Sequence, residues 1–255
     1  MVEHCISDTE ERWLMANSRT LASQAEALTS LLGLSHPPLA ITFSSEAPAG
    51  VPRFDAPMPA PTPDGRTGRV SAGCVFWVEA RDKSFTTVPE DHGNCSVGSL
   101  THGFKTLEEA VHGADVAALV ESGWVTPEVF PQIPTVKGDP GFVTYGPLAE
   151  ASSDPDIVFL FLNGKQAMML HDAWPGLRFE GKPQCHIIPI AKEAGEIAIS
   201  VGCMLSRVRT GMSNNDVTCA IPFGKLSALL DRLAVANAAD MKVAAYASED
   251  TKRFA

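Results

Sequence analysis

Four cysteines of this sequence lie beside residues that favour turns, and thiols in such places can bind a metal. Two follow a glycine, one follows an asparagine and one precedes a histidine: Cys74, Cys203, Cys95 and Cys185. No Cys-x-x-Cys pair is present, so the local signature of zinc ribbons and thioredoxin-like redox sites is missing. Distant cysteines can still meet in a fold, and thiolates at turns suit an iron–sulfur cluster because the backbone can approach it. The alternative is that they are small buried hydrophobic residues, which is also what we expect of Cys5 and Cys219.

The loop from Asp91 to Gly98 places a histidine close to one of these thiols. A loop that opens onto a helix would lower the pKa of Cys95 and favour the thiolate, which is the reactive form. Histidines titrate near neutral pH and can move a proton during catalysis. The sequence therefore gives three candidate catalytic residues, Cys95, His92 and His102, with a polar surface turn as the alternative interpretation.

Two arginines follow the last of the four cysteines. Arg207 and Arg209 lie just after the Gly202-Cys203 turn, in a chain whose formal net charge is −10. Guanidinium groups hold carboxylates through paired hydrogen bonds, so these residues are candidates for binding an anionic substrate. The competing interpretation is a solvated loop with surface arginines.

The pattern of apolar residues predicts a mixed α/β or α+β domain, with a mixed sheet and flanking helices. We expect a single domain over residues 17–240, with tails at 1–16 and 241–255. Predicted helices cover 17–34 (capped by Ser18 or Asn17), 107–122 (with a Thr106–Glu109 capping box), 165–172 and 224–237. Predicted strands cover 39–43, 84–88, 142–145, 156–162 and 197–201, with 184–190 as a strand or loop and a proline-rich loop at 46–70.

Composition excludes several classes of protein. The chain has 255 residues with 20 Lys and Arg against 30 Asp and Glu, so it lacks the basic balance of a nucleic-acid-binding protein. The longest apolar run, Ile157–Leu162, is six residues long, which is too short to span a membrane. With no targeting segment recognised, a cytoplasmic protein is expected, and there the cysteines would stay reduced. The motifs of P-loop enzymes, serine hydrolases and zincins are missing.

Several short motifs, in this order, resemble the domain of unknown function 169 family, and the likeness spans residues 20–235. They are Pro37–Phe43, Cys74, Cys95–Gly98 with Gly103, Asp156–Met168, Cys185, Cys203 with Arg207, and Ala220–Phe223. The sequence departs from the family pattern at Cys95-Ser96-Val97-Gly98, where a Cys-Pro-Gly-Gly-like loop is usual. It departs again at Met204-Leu205-Ser206-Arg207, where Gly-x-Arg is usual. The resemblance implies that the four cysteines form a shared site.

These observations together predict an enzyme with a cysteine-ligated metal centre. The leading expectation is a [4Fe-4S] cluster at Cys74, Cys95, Cys185 and Cys203, with zinc as the alternative because soft thiolates also bind zinc. Three of the four cysteines would bind iron, and the fourth iron or the fourth cysteine would face the substrate. The expected reaction is a non-redox removal of sulfide or water from a small anionic molecule, by a desulfidase or hydro-lyase. The alternatives are a metal- or redox-sensing or carrier protein and a metal-free enzyme with Cys95 as nucleophile. We expect a small-molecule substrate, no nucleic acid and no membrane partner, and the sequence allows a homo-oligomer.

Overall fold

The central strand of the protein alternates its side chains between two separate hydrophobic cores. In Ile157–Leu162 every residue is buried; Ile157, Phe159 and Phe161 face one core, and Val158, Leu160 and Leu162 face the other. A continuous apolar strand of this kind belongs in the middle of a sheet that is covered on both faces. The computed structural model, which describes residues 20–55 and 73–252, has this architecture.

The sheet has seven strands in the order β2-β3-β1-β4-β7-β6-β5. The strands are β1 Leu39–Ser44, β2 Phe85–Thr87, β3 Phe142–Pro147, β4 Ile157–Leu162, β5 Arg178–Glu180, β6 Ala198–Ser200 and β7 Val217–Pro222. All neighbours are antiparallel except β5 and β6, which are parallel. The prediction of a mixed sheet with flanking helices in one domain is therefore confirmed.

Helices cover both faces of the sheet. They are α1 Leu21–Leu32, α2 Gly73–Glu79, α3 Ser96–Thr101, α4 Leu107–Val111, α5 Ala114–Glu121, α6 Gly164–Ala173, α7 Ile187–Pro189, α8 Met204–Arg209 and α9 Leu226–Thr251. Short 3₁₀ helices lie at Pro89–His92, Pro127–Gln132, Leu148–Glu150, Gln184–His186 and Phe223–Lys225, and a π-helical turn at Ile190–Ala194. Helices α1, α6 and α9 cover one face, and Cys219 lies in that core. The other core contains Cys74 and Cys185.

Several predicted boundaries change in the structure. The first helix begins at Leu21 and is capped by Thr20, whose side chain accepts from the Ser23 N–H, and it ends at Gly33. The proposed caps Ser18 and Asn17 lie outside the described residues, as do Cys5 and most of the proline-rich segment 46–70. The last helix continues to Thr251, so residues 241–251 are helical where the sequence predicts a tail.

Two predicted elements differ in kind. The helix over 107–122 is two helices, because the chain turns at Gly113, where a Cβ atom would lie 2.0 Å from Ser96 Oγ. The Thr106–Glu109 capping box is confirmed. The segment 184–190 is helical rather than a strand or loop, since tertiary burial overrides the strand preference of its isoleucines. None of the described helices is long and apolar enough to cross a membrane.

Candidate functional site

The four predicted cysteines line one cavity of about 30 Å³. Each comes from a different segment: Cys74 from α2, Cys95 from just before α3, Cys185 from the turn before α7, and Cys203 from just before α8. Cys74 and Cys185 are buried, whereas Cys95 and Cys203 are partly exposed. The cavity therefore has a closed end at the first pair and an accessible edge at the second.

Cys95 is held by the start of helix α3. Its Sγ accepts a hydrogen bond from the Gly98 N–H at 3.3 Å, and a Cβ atom on Gly98 would lie 3.1 Å from that sulfur. The Asp115 carboxylate accepts hydrogen bonds from Ser96 N at 2.9 Å and from Ser96 Oγ at 2.7 Å. Helix α5, which carries Asp115, therefore fixes the first turn of α3 and with it the thiol.

Cys203 is held by the arginine that follows it. Arg207 donates through Nη2 to the carbonyls of Val201, at 3.1 Å, and Asp216, and through Nη1 to the carbonyl of Ser213. Gly202 has φ of 121°, and a Cβ atom there would lie 2.5 Å from Arg207 Nη2. Arg207, predicted to bind substrate, thus ties the Cys203 loop together, and the glycine before the cysteine makes room for it.

Two polar side chains that the sequence did not single out contact the sulfurs. The buried Gln184 donates through Nε2 to Cys74 Sγ at 3.1 Å, while its Oε1 has no hydrogen-bond partner among the described residues. The Thr101 side chain hydrogen-bonds to Cys185 and lies 3.2 Å from Nδ1 of His102. Their only signal in the sequence is position: Gln184 adjoins Cys185, and Thr101 adjoins His102.

Burial and mutual repulsion keep the deeper thiols neutral in the absence of a compensating cation. Burial raises the pKa values of Cys74 and Cys185 well above that of a free thiol, and the neighbouring cysteines raise them further. Burial also raises the pKa of Cys203, although backbone N–H groups and the Arg207 charge oppose the shift. A bound metal would reverse this balance, because cations stabilise thiolates and displace their protons.

The two candidate catalytic histidines lie in the core and do not line the cavity. His92 and His102 are fully buried, with ring centroids 5.1 Å apart. Nε2 of His92 lies 2.9 Å from Thr87 Oγ1, and Nδ1 of His102 lies 2.8 Å from the Gly98 carbonyl oxygen. Burial lowers both pKa values, that of His102 to about 4. His102 is connected to the cysteines only indirectly, through Thr101 and through Gly98.

An open groove adjoins the accessible edge of the cavity. Cys203 lines both spaces, and the groove has a volume of about 440 Å³. Its other side chains include Trp124, Lys182, Met204 and Arg207. Arg209, the second predicted substrate-binding arginine, is at the end of α8. Trp124 and Lys182 are 58 residues apart, so the sequence gives no indication that they meet.

The described part of the chain contains no cluster of side chains that could bind a single metal ion. Within residues 20–55 and 73–252, no three side chains of His, Cys, Asp or Glu are close enough together to hold one ion. The donor set around the cavity is therefore four thiols distributed over its wall, and the other lining residues are Pro183, Gln184, Leu205, Ser206 and Thr210.

Comparison with known proteins gives one match. The sequence model of a protein family described as "Uncharacterised ArCR" matches residues 27–232, which is most of the chain and includes all four cavity cysteines. No curated protein and no solved structure matches this sequence.

Proposed function

The chain belongs to the domain of unknown function 169 family, and from its four-cysteine cavity we propose that it is an iron–sulfur enzyme. The cluster would be [4Fe-4S], and the reaction a non-redox elimination of sulfide or water from a small anionic substrate. One observation carries the proposal: thiols from four separate segments line a single cavity.

The arrangement of the donors favours a cluster over zinc. A tetrahedral ion with metal–sulfur bonds of about 2.3 Å brings its sulfur ligands within about 4 Å of one another. In a [4Fe-4S] cluster each thiolate binds a different iron, so the sulfurs stand further apart. Four thiols around one cavity, with no three donor side chains of residues 20–55 and 73–252 close enough for a single ion, agree with the second pattern.

The residues of the chain have separate tasks in the proposed reaction. Cys74 and Cys185 would be ligands at the closed end, and Cys95 and Cys203 would lie at the edge that substrate can reach. Only three of the four cysteines would bind iron, and the iron left without a thiolate would supply Lewis acidity toward a sulfur or oxygen atom of the substrate. Apolar side chains such as Leu119 and Leu205 lie beside Cys95 and Cys203 at this edge, and Arg207 keeps the Cys203 loop in place.

The proposed elimination is balanced without an oxidant or reductant. A carbon–sulfur or carbon–oxygen bond breaks, the neighbouring carbon loses a proton, and a carbon–carbon double bond forms between them. The leaving group departs as hydrogen sulfide or water and carries away the proton that the substrate loses. We assign no proton transfer to His92 or His102, because both are buried outside the cavity.

Anaerobic purification with iron, sulfide and zinc analysis tests the cluster. We expect about four irons per chain and a broad absorbance band near about 400 nm, the properties of a cubane cluster. Alanine in place of Cys74 or Cys185 should lower the iron content, and so should alanine at whichever of Cys95 and Cys203 is the third ligand. Cys219→Ala should not, because Cys219 lies in the other core. A protein that remains colourless and iron-free after anaerobic reconstitution contradicts the proposal. One zinc per chain would instead support the zinc alternative.

The activity needs its own assay. The iron-loaded protein would be incubated with mercapto- and hydroxycarboxylates, with released sulfide and the absorbance of the unsaturated product as readouts. We expect turnover with at least one of them and its loss in Cys203→Ala. Activity that survives iron removal and is lost only on Cys95 alkylation would support the metal-free nucleophile instead.

The second candidate is a non-enzymatic carrier or sensor, and the size of the cavity favours it. A space of about 30 Å³ is on the scale of one water molecule. The thiols would have to move apart to admit a cluster, and a bound cluster would leave no room for a substrate among them. A carrier would contain the cluster, show reversible redox or metal-dependent changes, and release no product from any of the compounds assayed.

A further inference from the structure

The groove beside Cys203 has the size and the walls of a small-molecule site. Its volume of about 440 Å³ lies within the range of roughly 300–1,000 Å³ that is usual for ligand pockets. Trp124, Val201 and Met204 supply apolar surface, and the last two are exposed at 66% and 62%. Cys203 lines the groove and also lines the four-cysteine cavity, so the two spaces share this residue.

The charges in the groove have one sign. Lys182 and Arg207 are its two charged residues, and no carboxylate lines it among the described residues. Two acidic residues close in sequence to these cations make their ion pairs outside the groove: Glu180 contacts Arg178 and His186, and Asp216 contacts Arg81. In a protein with a net charge of −10, a groove that presents only cations favours an anionic ligand.

The two cations are not equivalent. Arg207 directs its guanidinium at three backbone carbonyls, so moving it to a ligand would break the contacts that hold the Cys203 loop. Lys182 lies with Nζ 4.7 Å from the centroid of the Trp124 ring and donates to the Trp124 carbonyl. An ammonium has three donors, and Lys182 makes no ion pair with a described residue. Lys182 is therefore the cation that is available to a ligand.

We propose that this groove binds a small organic carboxylate, with the carboxylate at Lys182 and the carbon chain between Trp124 and Met204. The other end of the ligand then points to Cys203. The evidence for the carboxylate site comes from the groove alone and does not depend on the proposed function. The further assignment, that this other end carries a thiol or hydroxyl group, rests on the proposed function.

Binding can be followed through the fluorescence of Trp124, with 3-mercaptopropionate and propionate as anionic probes and 1-propanethiol as the uncharged one. We expect both carboxylates to change the emission and Trp124→Phe to abolish the change, which locates the signal. Lys182→Gln should weaken the binding of both carboxylates at least tenfold and leave the binding of 1-propanethiol unchanged. The control is Lys165→Gln, since Lys165 pairs with Asp240 on the opposite side of the sheet.

The outcomes separate this proposal from the enzyme proposal. If propionate binding depends on Lys182 in a protein that contains no iron, the proposal of a carboxylate groove is supported and the proposal of an iron–sulfur enzyme is wrong. If the iron-loaded protein is active but Lys182→Gln binds both carboxylates as tightly as the parent, the groove proposal is wrong. Equal weakening by Lys165→Gln would also overturn it, because the effect would then come from total charge.

Discussion

His102 is a fully buried histidine that the fold holds in its neutral form. Burial lowers its pKa from 6.5 to about 4, so the unfolded chain takes up a proton at a pH where the folded protein does not. The stability that this neutral histidine contributes is complete above pH 6.5 and is lost as the pH falls toward 4. The shift corresponds to about 3 kcal/mol for this one group. Burial lowers the pKa of His92 as well, so its contribution has the same sign.

We predict that the unfolding free energy decreases steeply between pH 6.5 and 4, and that His102→Gln makes the decrease shallower. Urea unfolding at several pH values measures the slope, which separates titration from any uniform loss caused by the substitution. His112→Gln changes an exposed histidine and should leave the slope as it is. An unchanged slope in His102→Gln would show that other groups cause the acid sensitivity.

Gln184 is a buried polar side chain in contact with one of the deeper sulfurs. Its amide donates to Cys74 Sγ at 3.1 Å and lies 3.7 Å from Met212 Sδ. Groups that hydrogen-bond to metal ligands typically change metal affinity about 10–100-fold when removed. On the proposed cluster, Gln184→Met should therefore speed the release of iron to a chelator by about that factor. Gln132→Met, at an exposed position, is the control and should release iron at the parental rate.

At the scale of elements, the loop between β6 and α8 depends on one glycine. Gly202 has φ of 121°, and a Cβ atom would approach Arg207 Nη2 to 2.5 Å. We predict that Gly202→Ala destabilises the protein by about 1–3 kcal/mol, the usual cost of such backbone strain. It should also lower iron content, because Arg207 could no longer hold the Cys203 loop. Thermal unfolding and iron analysis measure both effects.

Gly164→Ala is the matched control for that substitution. Gly164 begins α6, where nothing lies within 4 Å of an added Cβ atom, and alanine is the better helix former. We expect no loss of stability and full iron content. If Gly202→Ala behaves in the same way, the Arg207 contacts do not hold the loop.

Local signals predicted the elements whose causes are local. The apolar run at Ile157–Leu162 indicated a buried strand, and the Thr106–Glu109 pair indicated a helix start, because neighbouring residues decide both. The turn at Gly113 depends on its contact with Ser96, 17 residues away, and the helical segment after Pro183 depends on burial in the core. Sequence patterns contain no direct information on such contacts.

In the candidate site, too, some residues could be recognised from the sequence and others only from the fold. Residue type and a glycine neighbour marked Cys74 and Cys203, since thiols at turns have a limited set of uses. Gln184 and Lys182 resemble ordinary polar residues in the sequence, and only the fold brings them to a sulfur and to Trp124. For His92 and His102 the residue type suggested catalysis, but the fold buries both rings away from the cavity.

At the scale of the whole molecule, the sheet separates the four-cysteine cavity from helices α1, α6 and α9. Leu233 is the last fully buried residue of α9, and side chains from Met241 to Glu249 are exposed. We predict that removing residues 241–255 changes the unfolding free energy by less than about 1 kcal/mol. Leu233→Ala should cost about 2–5 kcal/mol, as truncation of a buried leucine does. Denaturant unfolding measures both.

The truncated protein should also keep its iron content, because the described part of the deleted segment belongs to α9, on the far side of the sheet. If the deletion destabilises the protein as much as Leu233→Ala does, the end of α9 has a packing partner outside the described residues or in a second copy of the chain.

The four-segment construction of the cavity has a consequence for the order of events during synthesis. The ribosome synthesises the chain from the N-terminus to the C-terminus. Of the four cysteines, Cys74 is therefore made first and Cys203 only after about four-fifths of the chain. Strand β7, which separates β4 from β6 in the sheet, follows later still. The nascent protein therefore exposes three of its four thiols before the cavity can close. Oxidation or capture of the wrong metal during that interval would compete with correct assembly.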